Sequence, residues 1–176
     1  CNHRIQSRFM SGHMSASFSP LPLKEQELVV SRVFKAPREL VWKAWTDPDH
    51  AKHWWGPPMC PAIEMHMDLR VGGAWRHCLQ SAEDGSHLWQ HGVFKEIVPP
   101  ERLVFTFTWD NNHYVEFPNV ETVVTLTFEE RDGGTLVTLR QVGFHSIGDR
   151  DGHGLGWTGT FDRFEIYAAQ MSASGR

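Results

Sequence analysis

The histidines on one predicted strand are the side chains with the clearest chemical potential. In the run Trp75-Arg76-His77, alternation along a strand turns His77 to the same side as Trp75. His91 on the next strand is a further candidate for that side, although Leu88–Ile97 alternates too poorly to fix its direction. A neutral imidazole in an apolar pocket can orient a ligand carbonyl or hydroxyl, or exchange a proton near neutral pH. The alternative is a core histidine bonded to the backbone or to water.

Two other groups of residues resemble metal sites but lack a required ligand. His50 and His53 have i, i+3 spacing, but no Glu completes a zinc-binding HExxH motif. The segment 149–154 begins like a calcium loop, yet Thr160 stands at its twelfth position, where a bidentate Glu is needed. We therefore predict no metal site, no cofactor and no identifiable catalytic constellation.

The elements that must position these side chains follow from the period of the apolar residues. Helical spacing predicts one short helix that begins at Pro37 and a second at His50–Trp55. The period of 2, with turn residues between the runs, predicts strands. These are Glu27–Lys35 before the helices and, after them, Ala62–Arg70, Ala74–Ser81, His87–Val98, Arg102–Asp110, Val120–Glu130 and Thr135–Phe144.

A long helix ends the pattern. Trp157, Phe161, Phe164 and Ala168 fall on one helical face. The glycines at 152, 154, 156 and 159 predict a glycine-rich loop that leads into this helix, with close backbone packing or a hinged pocket mouth. Consecutive strands joined by tight turns form an antiparallel meander, so the predicted class is α+β, in the order β-α-α-β6-α.

A cavity between the sheet and the last helix is expected, because one helix cannot fill the concave face of about seven strands. Such pockets are mostly apolar with few polar groups, and methionines give them a pliable wall. For any single aromatic residue the alternative is a place in the core. The predicted ligand-binding residues are Met65, Met67, Trp75, His77, His91, Phe105, Phe107, Trp157, Phe161 and Phe164.

Composition and charge restrict the partners. The formal net charge is −4 and no basic stripe occurs, which argues against nucleic acid. No apolar stretch approaches the ~20 residues that span a bilayer, so no membrane partner is expected. The cysteines, Cys1, Cys60 and Cys78, form no CxxC pair, and this usage predicts reduced thiols and a cytoplasmic location.

The chain length suits a single domain, predicted at residues 24–172. Residues 1–23 have no sustained apolar period and are rich in Ser, Gly and Pro. We interpret them as a disordered leader or a remnant of expression, with Met10 or Met14 as the natural start. Residues 173–176 are expected to form a tail.

Five segments, in order along the chain, resemble one known family. They are Arg32–Pro48, Trp54–Pro57, Asp68–Gly73, Val98–Thr106, and Gly154–Trp157 followed by Phe161–Arg163. They resemble the START/Bet v 1-like (SRPBCC) superfamily and, within it, the family named after the activator of Hsp90 ATPase. The resemblance covers about residues 27 to 170. It implies a helix-grip fold, a curved antiparallel sheet wrapped around a long C-terminal helix, with a cavity between them.

The resemblance leaves three functions open. Relatives in the superfamily bind hydrophobic small molecules or act as polyketide cyclases, and no catalytic motif runs through the family. Binding of a small hydrophobic or aromatic molecule ranks first, and a cyclase- or hydratase-like enzyme that uses a pocket histidine ranks second. An interaction with an Hsp90-type partner ranks last. The adjacent Trp54 and Trp55 either cap the core or form a dimer contact, so a homodimer is left open.

Overall fold

The computed structural model describes residue 22 and residues 25–174. Apart from Pro22, the predicted leader at 1–23 lies outside the described residues. In the described part the chain forms seven strands and three helices. They are β1 (Glu27–Phe34), α1 (Arg38–Thr46), α2 (Pro48–Ala51), β2 (Ala62–Met67), β3 (Ala74–Gln80), β4 (His87–Val98), β5 (Arg102–Trp109), β6 (Thr122–Arg131), β7 (Gly134–Val142) and α3 (Ile147–Ala173).

All seven strands belong to one antiparallel sheet, in the order β1-β7-β6-β5-β4-β3-β2. Strands β2 to β7 are a meander, and β1 pairs with the last of them. The sheet curves around the long helix α3, which also contacts β1 and α1. This arrangement confirms the predicted α+β class, the element order and the helix-grip fold.

The concave face of the sheet is built by residues at alternating positions. On β3, Trp75 and His77 are both buried, which confirms that they share a side. The Trp75 indole crosses Gly92 to donate a 3.0 Å hydrogen bond to the carbonyl of Thr106. A Cβ on Gly92 would lie 2.5 Å from the indole nitrogen, so glycine is required where the ring crosses.

Strand β2 departs from the alternation read in the sequence. Ile63, Met65, Met67 and Leu69 alternate with polar residues, but Ile63 and Leu69 are exposed. A register shift between Ala62 and Glu64 turns Ile63 away from the core, and the strand ends at Met67, before Leu69.

The glycine-rich segment before Trp157 was predicted as a loop, and this was wrong. Helix α3 begins at Ile147, and the Ser146 hydroxyl caps it by accepting a hydrogen bond from the Asp149 backbone N–H. Helix α3 ends at Ala173, one residue into the predicted tail. The glycines are helical because a cap and a buried apolar face outweigh their cost of roughly 1 kcal/mol each.

The segment after α2 is tied into the core. Trp54 and Trp55 are both buried, with the Trp54 ring centroid 4.4 Å from that of Trp45 on α1. They therefore cap the core, as one of the two interpretations of this pair expected. Cys78 is a buried free thiol, whereas Cys60 is disulfide-bonded, so the expectation of reduced thiols fails at Cys60.

None of the helices in the described part of the chain is both long enough and apolar enough to cross a membrane.

Candidate functional site

A cavity between the sheet and the long helix has a volume of about 170 Å³. It lies among strands β3 to β5, the first half of α3, and the segments 55–60 and 114–115. Met59 and Leu155 line it and are also 53% and 56% exposed, so they mark its mouth. The other lining residues are Trp55, Gly56, Pro57, Pro58, Cys60, Leu79, Leu88, Gln90, Phe107, Trp109, Tyr114, Val115, Gly152, His153, Gly156, Trp157, Gly159 and Thr160. We call this space the outer cavity.

The wall formed by residues 55–60 is held against α3 by one arginine. The Arg163 guanidinium donates hydrogen bonds of 2.8, 2.9 and 3.1 Å to the backbone carbonyls of Trp55, Gly56 and His53. Gly159, one turn earlier on α3, lets Pro57 approach closely, because a Cβ there would lie 3.0 Å from the proline Cβ. The wall therefore depends on contacts from α3 as well as on its own fold.

Three tryptophans on the cavity wall turn their indole N–H groups into the protein. Trp55 donates to the side-chain oxygen of Gln90 at 3.0 Å, and Trp157 donates to that of Gln141 at 2.8 Å. Trp109 donates to Nε2 of His153 at 2.9 Å. The rings present apolar surface to the cavity, while their polar edges are satisfied elsewhere.

His153 is a positioned histidine with both ring nitrogens engaged. Because Nε2 accepts from Trp109, the ring proton lies on Nδ1, which is 2.9 Å from the carbonyl oxygen of Asp149 one turn earlier. The Asp149 carboxylate is also 3.3 Å from Nδ1. These contacts fix the ring orientation at the helix end of the cavity.

The hydroxyl groups on the wall are also engaged. Thr160 donates to the carbonyl of Gly156 within α3, at 2.8 Å. The Tyr114 hydroxyl accepts a 3.4 Å hydrogen bond from the Ser81 hydroxyl, and its interaction with the Asp84 carboxylate raises the pKa of Tyr114 and lowers the pKa of Asp84. The cavity wall therefore presents few polar groups that could bind a ligand.

A much smaller cavity of about 10 Å³ lies deeper against the sheet, and we call it the inner cavity. Trp55 lines both cavities, so its ring lies between them. Two polar atoms on the inner wall, Nε1 of Trp45 and Nδ1 of His77, have no hydrogen-bond partner within the described residues. Burial lowers the pKa of His77 from 6.5 to about 3, and the imidazole is therefore neutral.

The predicted lining residues divide between the two cavities and the core. Phe107 and Trp157 line the outer cavity, whereas Met67, Trp75, His77 and Phe105 line the inner one. The others lie elsewhere. Met65 is half-buried and lines neither cavity, and Phe161 and Phe164 pack against Phe34 in the core, with ring centroids 5.5 and 4.7 Å away.

His91 lies on the opposite face of the sheet and not in the pocket where it was predicted. Its Nδ1 is 2.6 Å from the Asp110 carboxylate, at the outer surface. The inward positions of β4 are Leu88, Gln90, Gly92 and Phe94, so His91 has the wrong parity.

Gln90 is a residue of the cavity wall that the sequence pattern did not indicate. The inward face of β4 carries Gln90 and Gly92, while its outward face carries Trp89, which lies under the Arg76 guanidinium at 4.4 Å. Because the inward face carries a glutamine and a glycine and the outward face carries an aromatic residue, β4 does not show the usual alternation of apolar and polar residues. The signal that would have found Gln90 is its register with His77 on β3.

The outer cavity has no charged wall. None of the described residues that line it is Asp, Glu, Lys or Arg. Across residues 25–174 no group of three or more His, Cys, Asp or Glu is arranged to hold a metal ion.

A curved antiparallel sheet that encloses a long C-terminal helix, with a cavity between them, defines the helix-grip fold of START/Bet v 1-like proteins. The family model described as "Activator of Hsp90 ATPase homolog 1-like protein" matches residues 35–169, and the chain belongs to this family.

Solved structures share the fold at low sequence identity. A protein from Arthrobacter aurescens is 23% identical with a TM-score of 0.72, and the match covers 89% of this chain and 92% of the other. A protein from Chromobacterium violaceum is 24% identical with a TM-score of 0.71, covering 81% and 96%. A protein of the same family from Silicibacter pomeroyi is 21% identical with a TM-score of 0.70, covering 82% and 98%. No functionally curated protein matches the sequence.

Proposed function

We propose that the protein binds a small hydrophobic or aromatic molecule in the outer cavity. The observation that carries the proposal is a cavity of about 170 Å³ whose wall is mostly aromatic and aliphatic and whose mouth is open to solvent. An engineered apolar cavity of about 150 Å³ in another protein stays dry and binds benzene. The volume therefore suits a ligand with one ring.

The mouth supports entry from solvent. Met59 and Leu155 are large apolar side chains, both exposed and both in contact with the cavity. A methionine and a leucine at an opening can change rotamer and admit a ligand without breaking a hydrogen bond. Their exposure costs solvation free energy, which a bound apolar ligand would recover in part.

The histidines do not favour a reaction. His77 lies on the inner cavity and is held neutral by burial, and His153 uses both ring nitrogens in protein hydrogen bonds. Catalysis by a pocket histidine is therefore a weaker hypothesis than ligand binding. A cytoplasmic location, an Hsp90-type partner and a homodimer stay predictions.

The test is native mass spectrometry of the freshly purified protein, followed by titration with toluene in saturation-transfer NMR. The comparison variant is Gly156→Leu, whose side chain should fill the cavity. Gly156 lines the cavity, and a Cβ there meets no atom within 4 Å. We expect an adduct or toluene contacts in the wild type and their loss in Gly156→Leu. Binding that persists unchanged in the filled variant, or no binding of toluene to the wild type, would contradict the proposal.

A further inference from the structure

We propose that the ligand of the outer cavity is uncharged and carries a hydrogen-bond acceptor, such as a carbonyl oxygen, that binds the side-chain amide group of Gln90. The proposal rests on the proposed function and narrows it to one chemical class. Gln90 then selects among one-ring compounds of similar shape.

The orientation of the Gln90 amide is fixed by its neighbour. Gln90 lines the cavity and is only 4% exposed. Its Oε1 accepts the hydrogen bond of the Trp55 indole, and an indole N–H can only donate, so Nε2 must be at the other end. Within the described residues this Nε2 donates no hydrogen bond, and it is not sealed from solvent, so its two N–H groups are accessible from the cavity.

The other side-chain N–H and O–H donors on the described wall are used within the protein. The three indoles donate to Gln90, Gln141 and His153, and Thr160 donates to Gly156. The Tyr114 hydroxyl interacts with the Asp84 carboxylate. Nε2 of Gln90 keeps some access to solvent through the cavity, so a ligand that covered it without offering an acceptor would leave a buried donor unpaired, which is costly. An acceptor on the ligand would satisfy Gln90 and leave the rest of the wall unchanged.

The charge of the ligand follows from the same wall. A carboxylate in the outer cavity would meet no Lys or Arg side chain among the described lining residues, and an ammonium would meet no Asp or Glu. An unpaired ion is strongly disfavoured in such a site. A carbonyl, ether or lactone oxygen needs one donor, which Gln90 provides.

Gln141 supplies a matched control. Its Oε1 also accepts from an indole, that of Trp157, but its Nε2 donates to the Thr122 hydroxyl at 2.8 Å. The two glutamines thus share the tryptophan bond and differ in whether the amide N–H groups are engaged. Replacing each by Met breaks the same type of indole bond.

The experiment measures the affinities of acetophenone, α-methylstyrene and benzoate for the wild type, Gln90→Met and Gln141→Met by isothermal titration. Acetophenone and α-methylstyrene have the same shape and differ in a carbonyl oxygen against a CH₂ group. We expect Gln90→Met to weaken acetophenone by about 3- to 10-fold, the contribution of one hydrogen bond, and to leave α-methylstyrene within about 2-fold. Gln141→Met should keep the wild-type ratio of the two affinities, and benzoate should not bind.

Each other result contradicts a defined part of the proposal. If Gln90→Met weakens both uncharged probes equally, or if benzoate binds more tightly than acetophenone, Gln90 does not select an acceptor, while binding itself stands. If neither uncharged probe binds the wild type, the proposed function fails as well. Should Gln90→Met not fold, the Gln90 side-chain amide signals of the wild type decide: acetophenone must shift them more than α-methylstyrene does, and equal shifts overturn the proposal.

Discussion

Nε1 of Trp55 donates a 3.0 Å hydrogen bond to the side-chain oxygen of Gln90, and the Trp55 ring lies between two cavities of unequal size. The bond has two consequences. It holds the indole in place as the boundary of the outer cavity, and it turns the Gln90 amide nitrogen away from the ring. The position of Trp55 is itself set from α3, because Arg163 binds its carbonyl.

The glycines at 156 and 159 on α3 should respond in opposite ways to the same substitution. A Cβ on Gly156 meets no atom within 4 Å, so Gly156→Ala should raise the free energy of unfolding by about 0.5–1 kcal/mol through helix propensity. At Gly159 a Cβ would lie 3.0 and 3.1 Å from ring atoms of Pro57 and Pro58, which cannot rotate away. In urea unfolding, the free energy of unfolding of Gly159→Ala should therefore be lower than that of Gly156→Ala by at least about 1 kcal/mol. Equal stability of the two variants would show that Gly159 has no packing role.

The fold could be predicted from the sequence because, in most of its elements, apolar residues recur with the period of a single type of secondary structure. Strand β5 alternates over its whole length, and the turn residues mark the ends of the others. The sequence predicted only the second half of helix α3. Glycine has a low helix propensity, and the packing contacts that offset this cost in the first half cannot be read from the sequence. The start at Ile147 depends on the Ser146 cap and on contacts with distant segments, neither of which is a periodic signal.

The site was less predictable than the fold for a related physical reason. The inward face of β4 carries Gln90 on the cavity wall and Gly92 where the Trp75 indole crosses, at positions where apolar residues would mark the strand. Tyr114 and Pro57 enter the wall from loops, which have no period. Phe161 and Phe164, chosen because they share a helical face with Trp157, pack in the core and line neither cavity.

Loss of the Arg163 side chain should destabilise the protein and weaken ligand binding together. The guanidinium donates three hydrogen bonds to backbone carbonyls at 2.8–3.1 Å, and hydrogen bonds to charged groups contribute about 1.5–3 kcal/mol. We expect Arg163→Ala to lower the free energy of unfolding by about that amount, and Arg163→Lys not to restore it, because an ammonium lacks the planar fork. Urea unfolding and acetophenone titration measure both effects.

The control for Arg163 is Arg32, which forms a 2.8 Å ion pair with Asp162 at the surface. Arg32→Ala should cost less than about 1 kcal/mol, as exposed ion pairs do, and should leave binding unchanged. A loss of binding in Arg32→Ala equal to that in Arg163→Ala would mean that neither arginine acts through the cavity wall.

His77 should make the protein sensitive to acid. Burial lowers its pKa to about 3 in the folded protein from 6.5 in the unfolded chain, so between these values the unfolded state binds a proton that the folded state does not. Stability therefore rises with pH through this window, is fully present above pH 6.5, and is lost as pH falls towards 3. The loss from this group is on the order of 5 kcal/mol.

The measurement for His77 is urea unfolding at pH 7, 5.5 and 4. His77→Phe, which cannot be protonated, should show a shallower fall in the free energy of unfolding than the wild type. Replacement of the exposed His87 by Phe controls for the loss of an imidazole as such. If His77→Phe keeps the full wild-type dependence on pH, the acid sensitivity arises elsewhere.

Replacing Trp55 by Leu should join the two cavities and let a larger ligand reach His77. The indole is the wall that they share, and beyond it lie Nε1 of Trp45, a donor, and Nδ1 of His77, neither with a partner among the described residues. We expect Trp55→Leu to bind 2-acetonaphthone, a two-ring ketone, more tightly than the wild type does, at a cost in stability of about 2–5 kcal/mol.

In histidine-detected NMR this ligand should shift the ring signals of both His153 and His77 in the variant. Acetophenone in the wild type should shift those of His153 alone, because His153 lines the outer cavity and His77 does not. Binding of 2-acetonaphthone to the variant that leaves His77 unshifted would show that the two spaces stay separate without the indole.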